Sequence, residues 1–573
     1  MSNRGRLSRS RWTDLLLLGL AWGLVGGLVE GVVRLWLQNA GATNFDLRLT
    51  GISTRLIWVA PLTYAASFAV LGLAIGVAQR LVGRLDWDRL AMVGLGTLAW
   101  VGPLASSGRI AAISVSLLAL GLGTTADRLL PPGPYRRGVV RRSAVALVVL
   151  VAVLGVAVEY VGRQREARVA NTLPTPAKGA PNVLLIIIDT LRADRLATYG
   201  YRKGSTPTLT RLAGEGTQFD WAVAASSWSL PSHVSMLTGR MPEAHGAEID
   251  MYDGRFQTLP QTMLTLGYRT AAISANTLVF STAQGLGRGF LRFDDSFYSL
   301  ADGFTRTMLG RRAHKTVARV LGWTYHPVKR PAADVTARAL EWARSQGDRP
   351  FFLVLNYFDV HDPEGPRSPS STSLDPYDEA VADVDRAVGD LISGLTSRGL
   401  TDRTVIVVTA DHGESLGDRE ENGHGTSLNV EQVHVPLIVR YPPRVPAGRR
   451  VTRAVSHTSL PATLLDLAGV APGTFPGRSL SALWQPQAEG LAWLTPRSEL
   501  RYRPWQRTLE GQDLLRSLVD LPWHYVEHSE GGPELYNLLE DPRETTNLAG
   551  REQFRPLLEQ FRRAMSASDV GGS

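Results

Sequence analysis

Three runs of β-branched and long aliphatic residues each end in groups that bind cations or move protons. Asn182-Val-Leu-Leu-Ile-Ile-Ile-Asp189 ends in a carboxylate. Thr404-Val-Ile-Val-Val-Thr-Ala-Asp411-His412 ends in a carboxylate and an imidazole, and Phe351-Phe-Leu-Val-Leu-Asn-Tyr-Phe-Asp359-Val-His361 does the same. Carboxylates and neutral imidazoles are ligands for divalent cations, and imidazole also carries protons near neutral pH. A fourth segment, Ser226-Ser-Trp-Ser229-Leu-Pro231-Ser232-His233, puts hydroxyls just ahead of a proline suited to the first position of a helix. A hydroxyl there lies at the positive end of the helix, where backbone amides hold an anion. A plain Ser/Pro helix cap has the same local signature, so the four segments matter together: they suit one pocket for a cation and the anion it holds.

Those residues need a scaffold that brings distant segments to one place. Continuous apolar runs of this length read as strands buried on both faces, as in a parallel sheet covered by helices. In such sheets ligands bind beyond the carboxyl ends of the strands, where these Asp and His residues fall. Val335–Arg344 reads as an amphipathic helix covering the sheet.

At 573 residues the chain exceeds one ordinary core, and its composition divides sharply. Residues 1–162 are dominated by apolar stretches and are expected to form a transmembrane block of about five helices: Asp14–Val33, Leu56–Ala78, Leu90–Ala105, Ile110–Thr125 and Ser143–Val161. The third and fourth share the turn Ser106–Arg109 and could be a hairpin or re-entrant pair. Arg4, Arg6, Arg9 and Arg11 precede the first, and Arg128, Arg136, Arg137, Arg141 and Arg142 lie between the fourth and fifth. Positive residues stay cytoplasmic, so a multi-pass cell-membrane protein with everything after Val161 extracytoplasmic is expected. The formal charge of +8 fits these basic flanks, and nucleic acid is not an expected partner. Glu30 and Glu159, each with an Arg four residues on (Arg34, Arg163), read as interfacial ion pairs rather than a proton path. Pro174, Pro176, Gly179 and Pro181 mark 163–180 as a linker, leaving 181–480 as a catalytic domain and 481–573 as a C-terminal subdomain. The absence of cysteine excludes disulfides, thiolate metal sites and a Cys nucleophile.

In chain order, Asp189-Thr-Leu-Arg-Ala-Asp194 with Tyr199-Gly200, Ser229-Leu-Pro-Ser-His233 with Leu237-Thr-Gly239, and Asp411-His-Gly-Glu414 resemble the sulfatase-like branch of the alkaline phosphatase superfamily. His245-Gly246, Gly267-Tyr268, Val435-Pro436-Leu437 and Gly477-Arg478-Ser479-Leu480 add to the likeness. The stretch from Glu534-Leu-Tyr536 through Asp541-Pro542-Arg-Glu544 to Asn547-Leu548 resembles the closing subdomain of sulfatases. The resemblance runs from about Pro181 to Leu548 and leaves the apolar block outside. It implies an α/β fold, an alkaline-phosphatase-like sandwich of helices around a mostly parallel sheet, with a small C-terminal α+β subdomain. It also implies that Asp189, Asp411 and His412 bind a divalent metal ion, with Ser229 as both ligand and nucleophile. His361 and His424 would contact substrate oxygens or protonate the leaving group, and His233 would touch the anion. A supporting role is the alternative for His361 and His424, and the preferred one for His245 and His434.

Two departures from familiar calcium sulfatases bear on the chemistry. Asp189-Thr190 stands where they have two Asp, and Asp411-His412 where they have Asp-Asn; imidazole in place of oxygen favours manganese or zinc, with calcium still open. Ser229 stands where most have the Cys that becomes formylglycine. Formylglycine can be made from Ser, but an unmodified Ser is itself a competent phosphoryl acceptor and is favoured. The expected substrate is a sulfate or phosphate ester on a lipid headgroup, cell-wall polymer or glycan, cleaved or transferred. The contrasting reading is a catalytically silent membrane-anchored binding or assembly module, against which the matched ligand set argues. Substrate choice would rest on Asp250–Thr258, Leu278–Phe297 and Pro363–Pro376, and Arg497–Arg507 reads as a solvated loop.

Overall fold

The computed structural model describes residues 12–40, 53–82, 85–248, 250–296, 300–321, 330–361, 375–485, 488, 490–501 and 514–570. The arginines before Trp12, nearly all of the 363–376 loop and residues 502–507 lie outside the described residues. The chain forms two compact units, one of Met1–Arg168 with Ser296–Val328 and the other of Val169–Asp295 with Lys329–Ser573.

Among the described residues the first unit has a helix at each of the five expected apolar segments, α1 (Trp12–Asn39), α2 (Leu56–Leu81), α3 (Trp87–Ala105), α4 (Ala112–Leu129) and α5 (Pro134–Thr172), together with Leu300–Arg306 and Met308–Leu321 from the second half of the chain. Three of these helices, α1, α2 and α5, are long and apolar enough to cross a membrane. α5 continues to Thr172, into the stretch expected as a linker, because Gln164-Arg-Glu-Ala-Arg168 are good helix formers and no proline intervenes before Pro174. α1 and α2 meet along small residues: a methyl at Gly19 would stand 2.2 Å from the Phe68 carbonyl oxygen, and one at Gly27 2.5 Å from that of Ala60. Such close backbone approach is how helices associate where no hydrophobic drive separates them from lipid. Glu30 and Arg34 form the expected pair (3.3 Å, both fully buried), with Tyr64 also donating to Glu30. Glu159 differs: it pairs with Arg55 at 2.6 Å, not with Arg163. The segment inserted from the second half of the chain joins this network, since Glu30 accepts from the Met308 amide (2.9 Å) and Arg34 donates to the Arg306 carbonyl (2.7 Å).

The second unit is built on a sheet of nine strands: β1 (Asn182–Ile188), β2 (Thr217–Val223), β3 (Arg269–Ser274), β4 (Arg292–Asp294), β5 (Phe351–Tyr357), β6 (Thr404–Thr409), β9 (His434–Arg440), β10 (Arg449–Val451) and β11 (Val455–Ser456). Between β6 and β9 in the chain lies a separate small hairpin, β7 (Ser415–Leu416) and β8 (Asn422–Gly423). The three apolar runs are neighbours at the centre of the sheet: β1 pairs in parallel with β5 on one side and β6 on the other. Every residue of these three strands is buried, as runs without polar alternation require. Their shared direction puts Asp189, Asp359–His361 and Asp411–His412 beyond one edge of the sheet. Antiparallel β9 beside β6 makes the sheet mixed but mostly parallel.

A second sheet, antiparallel, follows: β12 (Arg497–Leu500), β13 (Leu515–Asp520), β14 (Trp523–His528) and β15 (Glu534–Asn537). The helix Arg555–Val570 packs Leu558, Phe561 and Met565 against Leu518, Tyr525 and Leu535 of this sheet, which gives the small α+β subdomain its own core.

Candidate active site

The carboxylates that follow β1 and β6 come together, fully buried, with His412: Asp189, Asp411 and His412 offer ligand atoms within 4.8 Å of one another. Each carboxylate has one oxygen held and one left over. Asp189 Oδ2 accepts from Asn276 Nδ2 (2.9 Å) and Asn356 Nδ2 (3.3 Å), whereas its Oδ1 is buried without a hydrogen-bond partner among the described residues. Asp411 Oδ1 accepts from the amides of Thr190 (3.1 Å) and His412 (2.9 Å), and its Oδ2 is likewise left over. Buried polar atoms rarely go unsatisfied, so two such oxygens facing one imidazole fit a divalent cation. Thr190 adopts φ 59°, strained for a β-branched residue, and the turn is held by Tyr377 Oη donating to its carbonyl (2.7 Å).

Electrostatics support the same assignment. Burial first, and the Asp411 charge second, push the Asp189 carboxyl well above its ordinary range. Burial would also raise Asp411, but His412, His233 and the two amides outweigh it and hold it low. Two ionised carboxylates this close and dry need a countercharge, which a cation supplies. Burial pulls His412 down to about 4, so its ring is neutral at physiological pH. Its Nδ1–H donates to the Gly413 carbonyl (2.9 Å), which leaves the Nε2 lone pair on the side of the ligand oxygens and Ser229.

Ser229 Oγ lies 3.0 Å from His412 Nε2. The serine opens the helix Ser229–Thr238, two residues earlier than the proline alone suggests, so the hydroxyl itself is at the helix N-terminus. His233, one turn on, donates from Nδ1 to the Ser229 carbonyl (2.7 Å) and stacks on Phe280; it is fully buried, with Nε2 left over, and burial lowers its pKa. His361 and His424 meet on the more exposed side, ring centroids 4.9 Å apart, and His424 is 4.5 Å from the His412 ring. His424 Nδ1 bonds the Glu414 carboxylate at 3.1 and 3.2 Å and its ring stacks on Trp228. His361, His424 and Glu414 form a second close group of metal-binding side chains.

Asp189, Ser229, His233, His361, Asp411, His412 and His424 are thus gathered here, whereas Asp359 accepts from the Ala332 amide (3.0 Å) and His245 and His434 stand apart in supporting contacts. His245 accepts from the Ala247 amide and faces Ser235 Oγ; His434 bonds the Asp220 carbonyl. Asn276, Asn356 and Trp228 are additional members that no motif marks, although Asn356 is the one amide inside the β5 apolar run.

Comparison with known proteins gives the family of the chain. The sulfatase family profile matches residues 181–470, and the profile for the N-sulphoglucosamine sulphohydrolase C-terminal region matches 427–570. Dog N-acetylgalactosamine-6-sulfatase is 26% identical over 328 residues, 51% of this chain and 63% of that protein. Arylsulfatase K of Xenopus laevis is 32% identical over 182 residues, 30% of this chain and 33% of that protein. This chain therefore spans less than two thirds of both these relatives. Mouse steryl-sulfatase is 27% identical over 417 residues, 55% of this chain and 66% of that protein. Among solved structures, the phosphonate monoester hydrolase of Agrobacterium radiobacter superposes with TM-score 0.56 at 21% identity, covering 69% of this chain and 96% of that one. A 2-O GAG sulfatase also gives TM-score 0.56, at 18% identity, covering 69% and 92%. The profile covers the nine-stranded sheet together with both ligand-bearing turns and the Ser229 helix, and the chain belongs to the sulfatase family.

Proposed function

We propose that this chain is a membrane-anchored, metal-dependent enzyme that cleaves or transfers a sulfate or phosphate ester through unmodified Ser229, with its catalytic domain outside the cytoplasm. The observation that carries the reading is Ser229 Oγ at 3.0 Å from His412 Nε2, beside the two unsatisfied carboxylate oxygens of Asp189 and Asp411. Those three ligands and Ser229 would hold a divalent ion, manganese or zinc before calcium because of the imidazole. When bound, the ion lowers the pKa of the serine hydroxyl and offsets negative charge on the transferring group.

Ser229 Oγ gives its proton to solvent and attacks phosphorus or sulfur as the bond to the substrate's alcohol oxygen breaks; water or an acceptor alcohol then takes the group from Ser229, which regains its proton. The departing oxygen needs a proton, and His361 and His424 on the accessible side are placed to give it. His233 and the helix N-terminus bear on the anion's remaining oxygens. Relatives named for N-acetylgalactosamine 6-sulfate and steryl sulfate make glycan and lipid esters the substrates to try first; cell-wall polymers and lipid headgroups fit an outward-facing site equally.

The test uses the full chain in detergent, stripped of metal and resupplied with manganese, zinc or calcium, on aryl sulfate and phosphate mono- and diesters. Metal-dependent turnover of at least one ester is expected, falling on the order of 10³-fold or more in Ser229→Ala. Full activity of Ser229→Ala on every ester turned over would falsify the proposal.

A further inference from the structure

His424 lies on the segment between the β7–β8 hairpin and β9, and part of what holds this segment comes from the C-terminal subdomain. Glu544, in the turn after β15, is 1% exposed and sits at φ 54°, a left-handed conformation strained for a non-glycine residue. Its Oε2 accepts from the Val430 amide (2.9 Å) and from Asn429 Nδ2 (3.0 Å), and its Oε1 meets His524 Nδ1 of β14. Burial alone would raise the Glu544 pKa, but His524 and the two donors outweigh it and hold the carboxyl low.

The contacts continue toward the site. Val430 begins the short helix Val430–Val433, and the carbonyls of Glu431 and Gln432 accept from the amides of Glu414 and Gly413, both at 2.9 Å. Glu414 in turn holds His424 through its carboxylate. A parallel tie runs through Arg419, which donates to the Arg543 carbonyl (3.0 Å) and pairs with Glu431. An ionised side chain buried in a strained turn, with its acceptors spent on a neighbouring loop, makes a fixed anchor for that loop.

We propose that Glu544 is a positioning residue: through Asn429, Val430 and the 413–414 backbone it fixes the loop that keeps the His424 ring beside His412, and so sets turnover without touching substrate. The inference rests on the reading of His424 as a residue that bears on the substrate. The test is a double-mutant cycle on the full metal-loaded chain. Glu544→Ala alone is expected to lower kcat about 10- to 100-fold, as misplacement of a catalytic group does, with KM changed far less and metal content retained. In the His424→Ala background the same substitution should lower kcat less than about twofold, because its effect passes through the missing ring. Equal losses in both backgrounds, or full activity of Glu544→Ala, would overturn the inference. If Glu544→Ala does not fold, Asn429→Ala, which removes a single donor, carries the same cycle with the same criteria. Ser229→Ala measured alongside separates the two claims, since its retained activity would defeat the nucleophile reading whatever the cycle gives.

Discussion

At position 412 the two ring nitrogens have separate tasks: one proton is committed to the Gly413 carbonyl, so the other nitrogen presents a lone pair to Ser229 and the unsatisfied carboxylate oxygens. His245 uses the same logic for stability instead of chemistry. Its Nδ1 accepts from the Ala247 amide, which places the single ring proton on Nε2 toward Ser235, and the ring is buried. Burial depresses its pKa from 6.5 to about 3. The unfolded chain therefore binds more protons than the folded one between those values, and stability present above pH 6.5 is lost as the pH falls through that window, by up to about 1.4 kcal/mol per pH unit. The Tm of the detergent-solubilised chain should be lower at pH 5 than at pH 7, and His245→Gln should reduce that difference. An unchanged difference in the variant would contradict the assignment. The residues of the candidate site are legible in the sequence where they end apolar runs, as Asp189 and Asp411 do. Asn276, which holds Asp189, is not legible, because one amide after a strand has no local signature and its role depends on how β3 lies against β5.

At the scale of elements, β1, β5 and β6 can be read directly, because strands buried on both faces must be apolar throughout. The apolar helices of the first unit are legible for a similar reason, but their contacts are not. Glu159 has an Arg four residues on, yet the rotation of α5 turns it to Arg55 instead. The amphipathic helix Met308–Leu321 gives no hint that it belongs with α1–α4, since its pattern shows that one face is covered without saying by what. The α1–α2 contact yields a prediction. At Gly27 a side chain would meet the main chain of Ala60 and Pro61 at 2.5 Å, and backbone cannot step aside as a flexible side chain can. Gly27→Leu should lower the detergent Tm of the first unit by several degrees or prevent its assembly, whereas Gly121→Leu, which points into open space, should not. Equal tolerance of both would mean that α1 and α2 do not pack this way.

For the molecule as a whole, a membrane-anchored enzyme of the proposed kind has its first unit embedded in the bilayer and its second unit outside the cytoplasm. The absence of cysteine makes this directly testable, since any introduced thiol is the only one. A membrane-impermeant maleimide applied to intact cells should label Lys203→Cys in the catalytic unit and spare Arg137→Cys at the start of α5, both exposed positions. The reverse pattern would invert the topology. The central claim, that Ser229 itself takes up the transferred group, is most directly tested by mass spectrometry of the tryptic peptide Leu212–Arg240 from native-host protein, at rest and after acid quenching during turnover. An intact serine is expected at rest, and a phosphoryl or sulfuryl group on Ser229 during turnover. An aldehyde at position 229, or product formed while the serine never carries the group, would contradict it.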